Sequence, residues 1–282
     1  MQINSPRPFG VIIGLFRKKY ARAGLIIVLG IVIFVLVGPS FDHYSPYATS
    51  SQLDNSPSLQ HPFGTDYLGH DLMSQVIWGA YPSMLVGIIA ATGGAILGLI
   101  VGISAGYYKK LEVILTPVAD ILLSFPAFPL LILIGTLFPP NDFVIGLALV
   151  LVLWPVTARS IRSQTLSVKE RPYVAAAKTS GMSNWGIVWR EIFPEVVPIA
   201  IAYFILNVAL GIVLVTALEF LGVGNPDVVS WGSILFWAQQ FAFYSGDWWW
   251  ILAPGLSITL VAIGFALIGF SIEEVMNPRL RT

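Results

Sequence analysis

The chain has 282 residues, 56% of them hydrophobic and 11% charged, with a formal net charge of zero and no cysteine. A mean hydropathy of +0.80 is that of an integral membrane protein and excludes an ordinary soluble domain. The absence of cysteine excludes disulfides, thiolate metal sites and cysteine nucleophiles, and the balanced charge argues against nucleic-acid binding, which needs a basic surface to neutralise phosphates.

Crossing about 30 Å of hydrocarbon takes about 20 predominantly apolar residues in a helix. Six runs qualify as spans: residues 21–37, 77–107, 112–137, 143–160, 196–221 and 251–272. The expected fold is all-α and polytopic, with six transmembrane helices. It divides into a tail (1–20), a first helix (21–37), a polar segment (38–76), a five-helix core (77–272) and a second tail (273–282). The core includes a polar insertion at 161–195 and an aromatic segment at 222–250.

Charge placement orients the spans. With the N-terminus inside, the inner tail carries Arg7, Arg17, Lys18, Lys19 and Arg22, and the next inner link carries Lys109 and Lys110. The insertion and its flanks carry Arg159, Arg162, Lys169, Arg171, Lys178 and Arg190, and the C-terminal tail Arg279 and Arg281. Those are all the Lys and Arg in the chain, so the outer connections have none, whereas they hold seven aspartates. The positive-inside rule then puts both termini in the cytoplasm of a multi-pass protein of the cell membrane. A cleaved signal peptide is disfavoured for the first run, because no small-residue A-x-A site follows Val37 and the basic tail is long.

In the outer segment, Pro62, Gly64 and Gly69 punctuate turns, and Asp71 is placed to cap a following helix. His43, His61 and His70 lie there near Asp66 and Asp71. Imidazole and carboxylate can ligate metals, but the spacing follows no ligand pattern, and surface and capping roles are expected instead. The second span repeats Gly94, Gly98, Gly102 and Gly106, a face that permits close approach of another helix of this chain or of a second subunit.

The third span contains Asp120 and the run Ser124 to Pro129, whose two prolines should bend the helix in mid-membrane. Asp120, Phe125, Pro126 and Glu219 are candidates for a translocation path, since ionisable groups inside spans are functional hypotheses by default; pairing with a polar neighbour is the alternative for both acids. In the outer aromatic segment, Trp248 to Trp250 fit an interfacial belt. Trp231, Trp237 and Tyr244 are candidates for an entrance or for gripping a partner.

From Val174 to Lys178 the insertion favours helix, Gly181 suits a left-handed stop, and Ser183 can cap a second short helix that Pro194 or Pro198 closes. Met182 and Trp185 at the corner form the expected apolar knob, a docking device on a polar arm.

This arm resembles the coupling motif of inner-membrane subunits of ABC importers, in which Glu-Ala-Ala is followed after three residues by Gly and later by Leu-Pro. Ala176, Ala177, Gly181 and Pro194 match, whereas Ala175 replaces the Glu and Phe193 the Leu. HPFGTDYLGHD, LLSFPAFP, EFLGVG with SWG, and NPRLR are similar to segments of permeases of the peptide and nickel importer family. His70, Gln75 and Tyr81 stand where relatives usually carry arginine. The resemblance implies a type I permease fold, with ATPase coupling through Ala176, Ala177, Gly181, Met182, Ser183, Trp185 and Pro194. It also implies a second related permease subunit, two cytoplasmic ATPases that bind ATP and Mg, and an extracytoplasmic binding protein.

The chain has no G-x-x-x-x-G-K-[ST] phosphate loop, so it is expected to be a translocating subunit and not an enzyme, with no cofactor of its own. Short peptides are the first expected cargo, oligosaccharides the alternative and nickel a lesser one. An ion-coupled secondary transporter would show inverted repeats, and none is seen. An intramembrane hydrolase would need a nucleophile and base together at membrane depth, yet every histidine lies outside the spans.

Overall fold

The computed structural model describes residues 18–42, 44–138 and 141–276, and among these the regular structure is helical, with one isolated antiparallel bridge between Thr65 and Asp71. In chain order the helices are α1 (Lys19–Phe41), α2 (Leu72–Tyr107), α3 (Lys109–Ser124), α4 (Ala127–Leu137) and α5 (Asp142–Lys169). There follow α6 (Pro172–Thr179), α7 (Asn184–Ile187), a π-helical turn (Val188–Ile192), α8 (Phe193–Phe220), α9 (Trp231–Ser245) and α10 (Trp248–Met276). Five helical stretches are long and apolar enough to cross a membrane, and the bent pair α3 and α4 makes a sixth if it counts as one span.

Local chemistry sets the starts and breaks. Asp71 caps α2 as expected, accepting from the Ser74 N–H at 2.7 Å, and Asn141 caps α5 through the Phe143 N–H. The expected bend in the third run is an outright break, with α3 and α4 meeting at 88°. Proline disfavours helical backbone in the residue before it, and Phe125 is accordingly extended (ψ 136°). Pro129 falls in the first turn of α4, where a missing N–H costs nothing.

The glycine stripe of α2 packs within the chain. Cβ atoms built on Gly94, Gly98, Gly102 and Gly106 would lie within 2.9 Å of Leu153, Thr157, Ile161 and Thr165. Both series advance by four residues in the same direction, so α2 and α5 run parallel, ridge in groove. Gly87 and Gly211 allow a second close approach, of α8 to α2, and Gly24 with Gly264 brings α1 against α10. The other face of α1, with Ile26, Leu29, Ile33 and Leu36, is exposed, as suits a helix facing lipid.

The aromatic segment is helical over more than half of its length. Residues 231–245 form α9, opened by a reciprocal capping box between Ser230 and Ser233 and stopped at Gly246, whose φ is +84°. Trp231, Ile234, Ala238 and Ala242 fall at helical spacing and bury one face, a period that the abundance of aromatics obscures in the sequence. Trp231 is therefore no entrance or partner contact: it is 1% exposed, its N–H donates to Ser83 Oγ and its indole N–H to the Val76 carbonyl, both at 3.0 Å.

The preceding polar segment folds over the same end of the bundle. His61 Nδ1 lies 2.7 Å from Asp71 and His70 Nδ1 2.7 Å from Asp66. Asp66 also accepts from the Leu68 and His70 N–H groups and from Gln75 Nε2. These separate pairs knit turns together, and among the described residues no group of three or more His, Asp or Glu could hold a metal ion. His43 lies outside the described residues.

The α2–α5 seam should tolerate no side chain. A Cβ on Gly98 would stand 3.1 Å from the Ala158 backbone nitrogen and one on Gly102 2.8 Å from the Ala158 carbonyl, so neighbouring backbone would have to shift. Gly98→Leu is expected to destabilise by about 1–3 kcal/mol, lowering the thermal midpoint in detergent; an unchanged midpoint would refute the tight seam.

Candidate functional site

The end of the bundle bearing the Lys and Arg side chains carries a projecting hairpin. Arg171 opens it, with Pro172 at the first helical position of α6, and an Arg171–Glu195 ion pair at 3.0 Å ties its root to α8. The stop is a Schellman motif: the Met182 N–H donates to the Ala177 carbonyl and the Gly181 N–H to that of Lys178. Gly181 has φ +82°, and a Cβ there would meet nothing within 4 Å, so glycine is required by conformation and not by space. Ser183 then caps α7 by accepting from the Gly186 N–H.

The hairpin has a dry underside and an apolar outer surface. Val174, Ile187, Val188 and Ile192 are buried with Ile103, Tyr107, Ile161 and Val168 of α2 and α5. Tyr107 donates to Asn184 Oδ1 at 2.8 Å, and Lys169 Nζ to the Tyr107 carbonyl. Ala176, Ser183 and Pro194 are exposed and Ala177 is half-buried. Trp185 projects as expected, 67% exposed, but Met182 turns inward against Gly186 and the buried cluster. Trp189, 46% exposed, completes the outer surface, with its ring 5.5 Å from that of Trp185 and 4.7 Å from that of Phe193.

Neither Pro194 nor Pro198 closes the second helix, contrary to expectation. Asn184–Phe220 is one 37-residue helix, because the π turn at Val188–Ile192 widens the coil just before Pro194. That relieves the clash between the proline ring and the carbonyl four residues earlier. Trp185, Trp189 and Phe193 share a face at four-residue spacing, a signal legible only once the helix is known to continue.

The membrane-depth candidates do not converge. The largest cavity described, about 460 Å³, lies behind the Phe125 break between α3, α4, α5 and α8. Phe125 lines it and Pro126 is exposed beside it. Its polar groups are Tyr203 and Asn207: Asn207 donates to Thr157 Oγ1 at 3.1 Å, and Tyr203 bonds Ser160. A search for ionisable residues passes over both. Asp120 sits nearer the basic end, paired with Arg159. Glu219 is buried at the opposite end, where it accepts from Ser230 Oγ at 2.7 Å and fits between Gly224 and Gly232. It thus fastens the loop between α8 and α9 and does not line the cavity behind Phe125. Trp237 is partly exposed beside Tyr67 and Phe241, and Tyr244 is exposed.

Comparison with known proteins completes the assignment. Residues 94–282 match the family model of the binding-protein-dependent transport system inner membrane component, and residues 11–62 that of the N-terminal transmembrane domain of oligopeptide transport permease C. A Brucella suis protein designated a peptide transport system permease is 37% identical over 95% of this chain and 90% of its own length. The dipeptide transport system permease of Alkalihalophilus pseudofirmus is 33% identical over 94% of this chain and 88% of its own. The oligopeptide transport system permease of Haemophilus influenzae is 33% identical over 94% and 86%. With its helical spans, projecting hairpin and near-complete alignment to these relatives, the chain belongs to the family of binding-protein-dependent transport system inner membrane components.

Proposed function

We propose that this chain is one of two related permease subunits of an ATP-driven importer that passes short peptides from an extracytoplasmic binding protein to the cytoplasm. The observation that carries this reading is the Trp185–Trp189 surface, an exposed apolar patch on a well-anchored hairpin at the basic end of the bundle. Such a patch on a rigid base is suited to a protein partner. The chain has no phosphate loop of its own, so that partner is a cytoplasmic ATPase, one for each permease, and ATP and Mg are bound there.

Closure of the ATPases shifts the hairpin. Its buried cluster joins it to α2 and α5, and its second half continues into α8, so the shift reorients spans and not only a loop. The two permeases part at the outer end, cargo leaves the binding protein, and hydrolysis restores the inward-open arrangement. Peptide takes precedence over oligosaccharide: two of the aromatics that could stack on a sugar ring, Trp231 and Trp250, are buried in the core. The relatives named above carry peptide designations.

Reconstituted with its partner permease, ATPases and binding protein, the chain should support uptake of labelled di- and tripeptides that stops without ATP; uptake persisting without ATP would sink this reading. Gly181→Val forces a β-branched residue into left-handed backbone at a cost of about 1–2 kcal/mol. It should leave ATP hydrolysis running while uptake falls several-fold, and normal coupling would count against the hinge. Because the wild-type chain has no cysteine, orientation can be read from single substitutions. A membrane-impermeant maleimide added outside intact cells should label Asp227→Cys and spare Lys178→Cys, and the reverse pattern would invert the topology.

A further inference from the structure

Between α2, α3 and α5, toward the basic end, lies a second cavity of about 240 Å³, bounded by Thr116, Asp120, Arg159 and Arg162 over an apolar floor that includes Ala105 and Ala158. One ion pair lies on its wall, Arg159–Asp120 at 2.5 Å, and Arg162, which also lines it, is paired with Glu112 outside the lining. The two pairs differ in exposure: the Arg159 and Asp120 side chains are 61% and 52% exposed, those of Arg162 and Glu112 28% and 33%. Arg162 Nε and Thr116 Oγ1 are shielded within the protein and have no hydrogen-bond partner among the described residues.

An ion pair this exposed, inside helices that span the bilayer, is too costly to face hydrocarbon. It must face water or protein, whereas the exposed face of α1 is apolar from Ile26 to Val37. The cavity is smaller than the roughly 300–1,000 Å³ that holds a drug-sized ligand, so it admits a small molecule or a chain end and no extended oligosaccharide. Its charges cancel pairwise. A net anion or cation would leave one charge uncompensated, while a neutral ligand with separate positive and negative groups can exchange partners with the pair without net cost in charge.

Resting on the peptide-import reading, we infer that Asp120 and Arg159 form a cargo subsite on the inner half of the path, Asp120 taking the ammonium and Arg159 the carboxylate of a zwitterionic dipeptide. Arg159 suits the second role because guanidinium matches carboxylate in a two-point contact. Arg162 and Thr116 hold Nε–H and hydroxyl capacity in reserve beside it. A zwitterionic phospholipid headgroup offers the same charge pattern, and the test separates the two.

The test uses the assembled transporter without its binding protein, in phosphatidylglycerol nanodiscs that contain no zwitterionic lipid, titrated with Ala-Ala, N-acetyl-Ala-Ala and Ala-Ala-amide. Wild type should bind Ala-Ala roughly three- to fivefold more tightly than either blocked form, the scale of an exposed ion pair. Arg159→Gln should abolish the discrimination against the amide and keep that against the acetyl form, and Asp120→Asn the converse. Equal binding of all three peptides by wild type overturns the subsite, even if neither variant assembles, and so does an equal loss of all three in both variants. Ala-Ala binding that vanishes on adding phosphatidylethanolamine to the discs assigns the site to lipid and overturns the proposal. Should the subsite fail while ATP-driven peptide uptake persists, only this inference falls; absence of uptake would remove the function beneath it.

Discussion

Everything in this bundle leans on the seam where the glycines of α2 meet α5. Apolar burial drives little association between helices already surrounded by lipid, so close backbone contact and dispersion must hold them. Four glycines at four-residue spacing let α5 settle against α2 along more than three turns, and the remaining elements are placed by that pair. The ends of α2 and α5 nearest the hairpin form the platform that buries its underside. Their opposite halves support α4 and α8, and the α3 ion pairs are anchored on α5.

Much of this was legible in the sequence because membrane helices announce themselves by length and charge. The runs, the glycine stripe, the Asp71 cap and the left-handed stop at Gly181 each follow from a local rule, and each local rule holds. What was illegible depended on register between distant segments. Trp231 reads as an aromatic in an outer loop, and only its alignment with Ile234, Ala238 and Ala242 against Val76 and Ser83 makes it core. Glu219 reads as an intramembrane acid, yet its partner Ser230 lies beyond a loop whose path the sequence does not specify.

The prolines show the limit of local rules most clearly. Pro126 breaks its helix, because Phe125 is free to become extended at a site where few neighbours hold it. Pro194 does not, since Ile192 and Val196 on either side of it are locked into the buried platform and one widened turn absorbs the misfit; Pro198 is itself buried inside the same helix. The same residue type therefore divides one span and lies inside another, and the packing around it decides which.

That widened turn has a mechanical meaning. The stretch from Asn184 to Phe220 is a single rod of 37 residues, about 55 Å long at the usual rise, with two tryptophans at one tip and the Glu219–Ser230 clasp at the other. A push delivered to the tryptophans need not be relayed through a series of side-chain rearrangements. Tilting the rod would move both tips at once, and the π turn, like Pro198 beyond it, is a place along its length where the rod can flex.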